Sequence, residues 1–284
     1  MTTRNLLKNL DWEIKTEPIQ VNGGISIGKK AIIRSDNNKI LGVVGENYKP
    51  VLNSTMKELA NEISKSGEFE LEGYREYYEG KVIHCFMRNT NSYLNMNGHM
   101  VHERMGISNS HDGSKRFSIF TYTAMERCGN IYADYLNVFS KKHLSNIYFD
   151  SQEVKELLRK YKSKKDSIYT SFDGMDKIKV DEGIIEKLIA DVHNMLSKDS
   201  SLPKTKNWRE SPSMQNLLES INIEMGQLGN NLFGLFNGVT YYTSHQMRNA
   251  DSELSKINGT AHLINQKAYK FCNNIKRQQL KVNS

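Results

Sequence analysis

Three cysteines in 284 residues, Cys85, Cys128 and Cys272, are too few and too scattered for a disulfide framework or a CxxC metal knuckle, and read as reduced thiols. Four prolines exclude a Pro-rich or collagen-like chain, and no run approaches the roughly 18 apolar residues of a membrane-spanning helix. The opening MTTRNLLKNLDWEIK has no apolar leader core, so the expectation is a cytoplasmic protein that makes no use of a membrane. Chemical signatures are equally scarce. Neither GxxxxGK[ST] nor GxGxxG occurs, which disfavours a nucleotide-binding loop, and the lack of GxSxG disfavours a serine hydrolase. His99, His102 and Glu103, with His111 and Asp112 further on, hold metal-ligating atoms. On a strand, however, residues three apart point to opposite faces, so a metal-dependent nuclease ranks last. No cofactor is expected.

What the chain has is basic charge, unevenly placed. The net charge is +7, with eight basic against three acidic residues in 141–165 and six against one in 252–284. Clusters of this kind concentrate polyanions, nucleic acid above all. By composition the protein is 38% hydrophobic and 9% aromatic, enough for a packed core.

Up to about Cys128 the pattern is short strands. ISIGKKAIIRSDNNKILGVV (25–44) predicts a hairpin about Asp36-Asn37-Asn38, EFELEGYREYYEGKVIHCFMR (68–88) a second about Glu79-Gly80, and His111-Asp112-Gly113 the turn of a third. Between the first two, NSTMKELANEISKSG has apolar residues at 56, 59, 60 and 63, the spacing of a short helix. After Gly129 the period becomes helical, near 130–147, 151–163, 182–198, 213–228 and 260–280. Strands first and helices afterwards predict an α+β fold: an antiparallel sheet built from N-terminal hairpins and covered by helices of the C-terminal half. Residues 1–147 would form the β-rich core and 148–284 the helical part, with a loop at 199–212.

Cations and aromatic rings interleave across the strand region: Arg34, Tyr48, Lys49, Tyr74, Arg75, Arg88, Tyr93, Lys115, Arg116, Tyr122, Arg127, Lys141 and Lys142. Single-stranded nucleic acid is held by this combination, cations following the phosphates and rings stacking on bases. Lys160 and Lys164 extend it along the helix at 151–163, and the end helix adds a basic face at 267–277.

The segments LDWEI, AIIRSDNNKILGVVGENYKPVLN, ISNSHDGSKRFSIF, ERCGN, LFGLFNGVTYYTSHQMR and NGTAHLINQKAYK, in that order, resemble the phage- and plasmid-borne proteins grouped as domain of unknown function 932. The shared motifs fall on Arg34, Tyr48, Asn53, His111, Asp112, Gly113, Arg127, Cys128, Asn130, Asn237, Tyr242 and His245, with Arg248 closing the TSHQMR element. The resemblance implies carriage by a phage or mobile element. By fold-level analogy, its strand-then-helix order is similar to phage single-strand annealing proteins. The expected function is sequence-independent binding of single-stranded DNA or RNA, with annealing by a homo-oligomer as its consequence. The expected contacts are Arg34, Tyr48, Arg88, Lys115, Arg116, Tyr122, Arg127, Lys160, Lys164, Tyr242, His245 and Arg248. The alternative is a host or phage protein partner docking on the same charge.

Overall fold

The computed structural model describes residues 10–21, 24–96, 99–125, 131–132, 137–144, 146–199, 208–247 and 259–282. Cys128, Asn130 and most of the expected loop at 199–212 lie outside them. The fold is α+β, as the element order predicts, with two antiparallel sheets rather than one. Strands β1 (Ile14–Val21), β2 (Ile25–Arg34) and β3 (Ile40–Gly45) make the first, in that order. The second runs β4 (Phe69–Tyr77), β5 (Val82–Met96), β6 (His99–Ser110), β7 (Phe117–Met125) and β8 (Ile131–Tyr132), and β9 (Asn137–Lys141) also pairs with β7. All three expected hairpins form. At the first, Asn38 takes a left-handed φ of 58°, which asparagine tolerates better than most residues. The stretch read as helix near 130–147 holds β8 and β9 instead. Pairing with β7, where Phe117 faces Lys141 and Ile119 faces Phe139, outweighs its local period.

By contacts the chain divides into two units, the first comprising residues 1–92, 103–122 and 135–164. Its interior is one apolar core. Met56, Leu59, Ala60 and Ile63 of α1 (Asn53–Lys65) meet Ile32 and Leu41 of the first sheet and Ile83, Met105 and Ile119 of the second. Val154, Leu157, Leu158 and Tyr161, early in α2 (Ser151–Phe172), belong to the same core, so a helix from the C-terminal half does pack on the strands. The start of α1 is capped from a distance, not by its own Asn/Ser/Thr run. The Glu13 carboxylate accepts the backbone N–H of Asn53 at 3.0 Å and of Ser54 at 2.5 Å, placing negative charge at the positive end of the helix.

The second unit comprises residues 93–102, 123–134 and 165–284. It contains α3 (Glu182–Asp199), α4 (Pro212–Leu228), α5 (Leu232–Tyr241), a π-helical turn at Tyr242–Gln246 and α6 (Thr260–Val282). Helix α5 was not expected, because LFGLFNGVTY is apolar on every side and interrupted by two glycines, which erases the helical period. Those glycines serve packing. A Cβ on Gly238 would lie 2.4 Å from Ile221 Cα, and one on Gly234 3.2 Å from Met225 Cα, so the α5 backbone lies directly against α4. At the end of α2, Lys276 of α6 donates to the carbonyls of Thr170 (2.7 Å), Ser171 (3.1 Å) and Asp173 (2.5 Å), neutralising a negative helix end.

Gly238→Ala tests this packing. Alanine favours a helix by about 1 kcal/mol over glycine, whereas a methyl forced against backbone costs about 1–3 kcal/mol or more. The clash wins: urea denaturation should show a net loss of about 2 kcal/mol.

Candidate nucleic-acid interface

Backbone pairing in the first unit brings together three separate segments that carry five cations, Lys49, Lys115, Arg116, Lys141 and Lys142. Lys141 faces Phe117 across the β7–β9 ladder, which brings Lys142 level with Arg116. The Lys49 N–H donates to the carbonyl of His143 at 2.6 Å, bringing the segment before α1 against the same chain end. Lys115 closes the β6–β7 turn by exchanging two 3.0 Å hydrogen bonds between its backbone and the Ser110 hydroxyl. Beneath the cluster the Tyr48 ring stacks on His143 at 4.9 Å, and its hydroxyl donates to the Ser110 carbonyl at 2.8 Å.

Lys49, Arg116, Lys141 and Lys142 are exposed and, among the described residues, form no ion pair; Lys141 donates to the carbonyl of Asn146 at 3.3 Å. Lys115 is half-buried, and desolvation draws its pKa below the ordinary lysine value, opposed by the nearby Asp112. Just beyond, the extended stretch Ile147-Tyr148-Phe149 alternates. Ile147 and Phe149 turn into the core, Phe149 against Phe117 and Phe139, and Tyr148 stands out at 71% exposure. Leu144 is exposed as well. Exposed cations without an ion pair among the described residues are thus followed along the chain by an open aromatic ring.

The other expected contacts are dispersed. Arg34 is taken up by the fold: it bonds Asp36 through Nε at 2.7 Å and Nη2 at 2.9 Å, and Glu76 through Nη1 at 2.6 Å, and its guanidinium lies 4.0 Å over the Trp12 ring. Trp12 Nε1 donates to the same Glu76 carboxylate at 2.6 Å. Arg88 is exposed but paired with Glu70 at 3.0 Å, and Lys160 lies 3.8 Å from Glu156. Tyr122 is only 3% exposed, packed against Phe86 and Phe120, so its ring offers no face to a base. Tyr242 is buried in the π-helical turn, while His245 is exposed there, its ring 4.7 Å from that of Tyr241. Arg127, Arg248 and the Lys164 side chain lie outside the described residues. Of the basic face at 267–277, Lys267 pairs with Asp191 at 3.5 Å and Lys276 caps α2. Sequence reasoning missed Tyr148; the alternation of Ile147, Tyr148 and Phe149 was the available signal.

Further motif residues form a buried polar knot. Asn53 Nδ2 donates to the Trp12 carbonyl at 2.8 Å, its Oδ1 lies 2.9 Å from His111 Nε2, and the His111 N–H donates to the Lys81 carbonyl at 2.8 Å. On the opposite face of the second sheet His84 is fully buried among the rings of Tyr77, Phe86 and Phe120. Burial pulls the pKa of His84 and of His111 from 6.5 to about 3, so both are neutral imidazoles at physiological pH. Cys85 and Cys272 are buried thiols, the latter pushed up to about 12 by desolvation, as inert core residues are. Of the metal-ligating candidates, Glu103 is buried beside the Asn89 amide at 3.2 Å and Asp112 accepts the Ser114 N–H at 2.9 Å. No group of three such side chains converges among the described residues.

Residues 40–277 match the family described as Domain of unknown function (DUF932). The chain belongs to that family. No curated protein and no solved structure matches it. The DUF932 match takes in the basic cluster, α1 and the C-terminal helices as far as residue 277 in α6, whereas Trp12, Glu13 and Arg34 precede it. Among the described residues, no helix is long and apolar enough to cross a membrane.

Two outcomes separate structural from binding roles. Arg34→Ala leaves Glu76 with the Trp12 indole alone and frees the exposed Asp36, and should lower unfolding free energy by roughly 1–2 kcal/mol, a value for the charged hydrogen bond to Glu76 at a partly exposed site, with little change in affinity for nucleic acid. For His84 and His111, the unfolded chain takes up protons below pH 6.5 that the folded chain refuses down to about 3. Their contribution is therefore complete above the unfolded pKa and lost as pH falls through that window, at up to about 1.4 kcal/mol per pH unit for each. Urea midpoints measured across the window should fall accordingly, and His84→Leu should flatten the slope.

Proposed function

We propose that this protein binds single-stranded nucleic acid without sequence specificity, through the cluster Lys49, Lys115, Arg116, Lys141 and Lys142 with Tyr148 as its stacking platform. The carrying observation is that, among the described residues, Lys49, Arg116, Lys141 and Lys142 are exposed and form no ion pair, and that a ring 71% exposed, Tyr148, follows six residues after Lys142, whereas Arg34 and Arg88 are neutralised by acids within the fold. Uncommitted cations exchange counterions for phosphates at little structural cost, and an open ring stacks on any base. Phosphate and stacking contacts carry no base-edge information, which is why sequence independence is the expectation. Strand annealing in a phage or mobile element, at the membrane-free interior of a host cell, is the biological setting this reading favours.

Fluorescence anisotropy of a labelled oligothymidine, with a duplex of equal length beside it, tests the reading. Binding should favour the single strand and weaken steeply with salt. Arg116→Glu with Lys142→Glu should weaken all sequences alike and reduce the slope of log affinity against log salt by about 1.4, about 0.7 for each cation on a single strand. Tyr148→Ala should cost about 1–3 kcal/mol on the single strand and little on the duplex. Absence of binding at low salt would overturn the proposal and turn the search to an acidic protein partner.

A further inference from the structure

We infer that β1 is a self-association edge, pairing antiparallel with β1 of a second copy of this chain about a two-fold axis at Thr16. β1 is the outer strand of the three-stranded sheet, and its residues 15–18 are exposed on both faces. Which of its backbone groups are free follows from the ladder. The Ser35 N–H donates to the Glu13 carbonyl, so Glu13–Ser35 is a hydrogen-bonded pair in the register that continues to Ile14–Arg34 and Pro18–Lys30. Hydrogen-bonded pairs alternate along an antiparallel ladder. Lys15 and Glu17 therefore spend their backbone groups on β2, while Ile14, Thr16 and Pro18 direct theirs away from the sheet.

Charge selects one register for a second copy. With Thr16 opposite Thr16, the two threonines exchange N–H and C=O groups, and the Ile14 N–H of each copy reaches the Pro18 carbonyl of the other. Lys15 of each copy then faces Glu17 of the other, twice over, at non-hydrogen-bonded positions where facing side chains approach most closely. Centring the axis on Lys15 or on Glu17 would set like charges against each other. Within one chain Lys15 and Glu17 are already 3.6 Å apart, so the second copy completes an alternating quartet. The same face carries the apolar rows that end at Ile40 (58% exposed) and Val43 (55%), since Lys15 pairs with Ile33, Ile33 with Ile40, Glu17 with Ala31 and Ala31 with Val43. Pairing would make that face continuous across two sheets. Pro18 has no N–H to offer, which ends the ladder after one short block, and a two-fold contact uses up the edge, so the assembly closes as a dimer. This inference is independent of the nucleic-acid reading, because the edge shares no residue with the basic cluster.

Sedimentation velocity of the full chain over a concentration series at low salt tests it, with far-UV circular dichroism to show that each variant is folded. The wild type should dimerise reversibly. Lys15→Glu and Glu17→Lys should each raise the dimer dissociation constant by about tenfold or more, and the double exchange Lys15→Glu/Glu17→Lys should return it toward the wild-type value. A wild type that stays monomeric throughout would overturn the inference. So would self-association indifferent to both single reversals, or a double variant no tighter than the singles.

Discussion

The first unit depends on one buried polar residue, Asn53. Its backbone N–H is held by Glu13, its amide N–H by the Trp12 carbonyl, and its amide oxygen lies against the imidazole of His111. Three parts of the chain distant in sequence, the entry strand, the start of α1 and the end of β6, thus meet at a single side chain. A buried amide with every group bonded tolerates few alternatives, since each unmade bond in such a place costs about 1–3 kcal/mol. The price is a histidine kept neutral, and through it a dependence of stability on proton concentration.

The knot positions everything around it. His111 opens the turn that returns β6 into β7, and Gly42 passes so close to that turn that a Cβ there would lie 2.6 Å from Asp112 Cα. The turn in turn aligns Lys115 and Arg116 with the exit of β9, where Lys141 and Lys142 emerge. A rigid polar core thereby presents charge that long, exposed lysines could not otherwise hold together. The Trp12, Arg34 and Glu76 sandwich has a similar bracing role: a guanidinium bonded to two carboxylates over an indole is a joint between the two sheets, not a docking group.

Local chemistry made much of the fold legible. The three hairpins, α1 and four C-terminal helices were readable because turn residues and apolar spacing act within a few positions. Strands β8 and β9 were not, because pairing with β7 overrides their local period, and for β9 the partners in β7 lie 17 to 24 positions away, from Phe120–Asn137 to Phe117–Lys141. Helix α5 was hidden for another reason. Being buried on all sides it has no polar face, and its glycines, which weaken a helix in isolation, are there to admit the neighbouring backbone of α4.

The candidate site divides in the same way. Composition alone identified a basic, aromatic-bearing chain, because charge and residue type are properties of the sequence whatever the fold. Which cations are spoken for is a matter of neighbours. Arg34 and Arg116 look alike in sequence, yet Glu76, forty-two positions from Arg34, neutralises the one, while Arg116, level with Lys142, forms no ion pair among the described residues. Tyr122 and Tyr148 both sit among hydrophobic residues; alternation on a buried strand carries the first inward, and alternation along an extended surface segment carries the second out. The sequence determined the charge, the ring content and the local elements. Only the tertiary structure decided which of those charges and rings face solvent, because that depends on contacts between residues the chain keeps far apart.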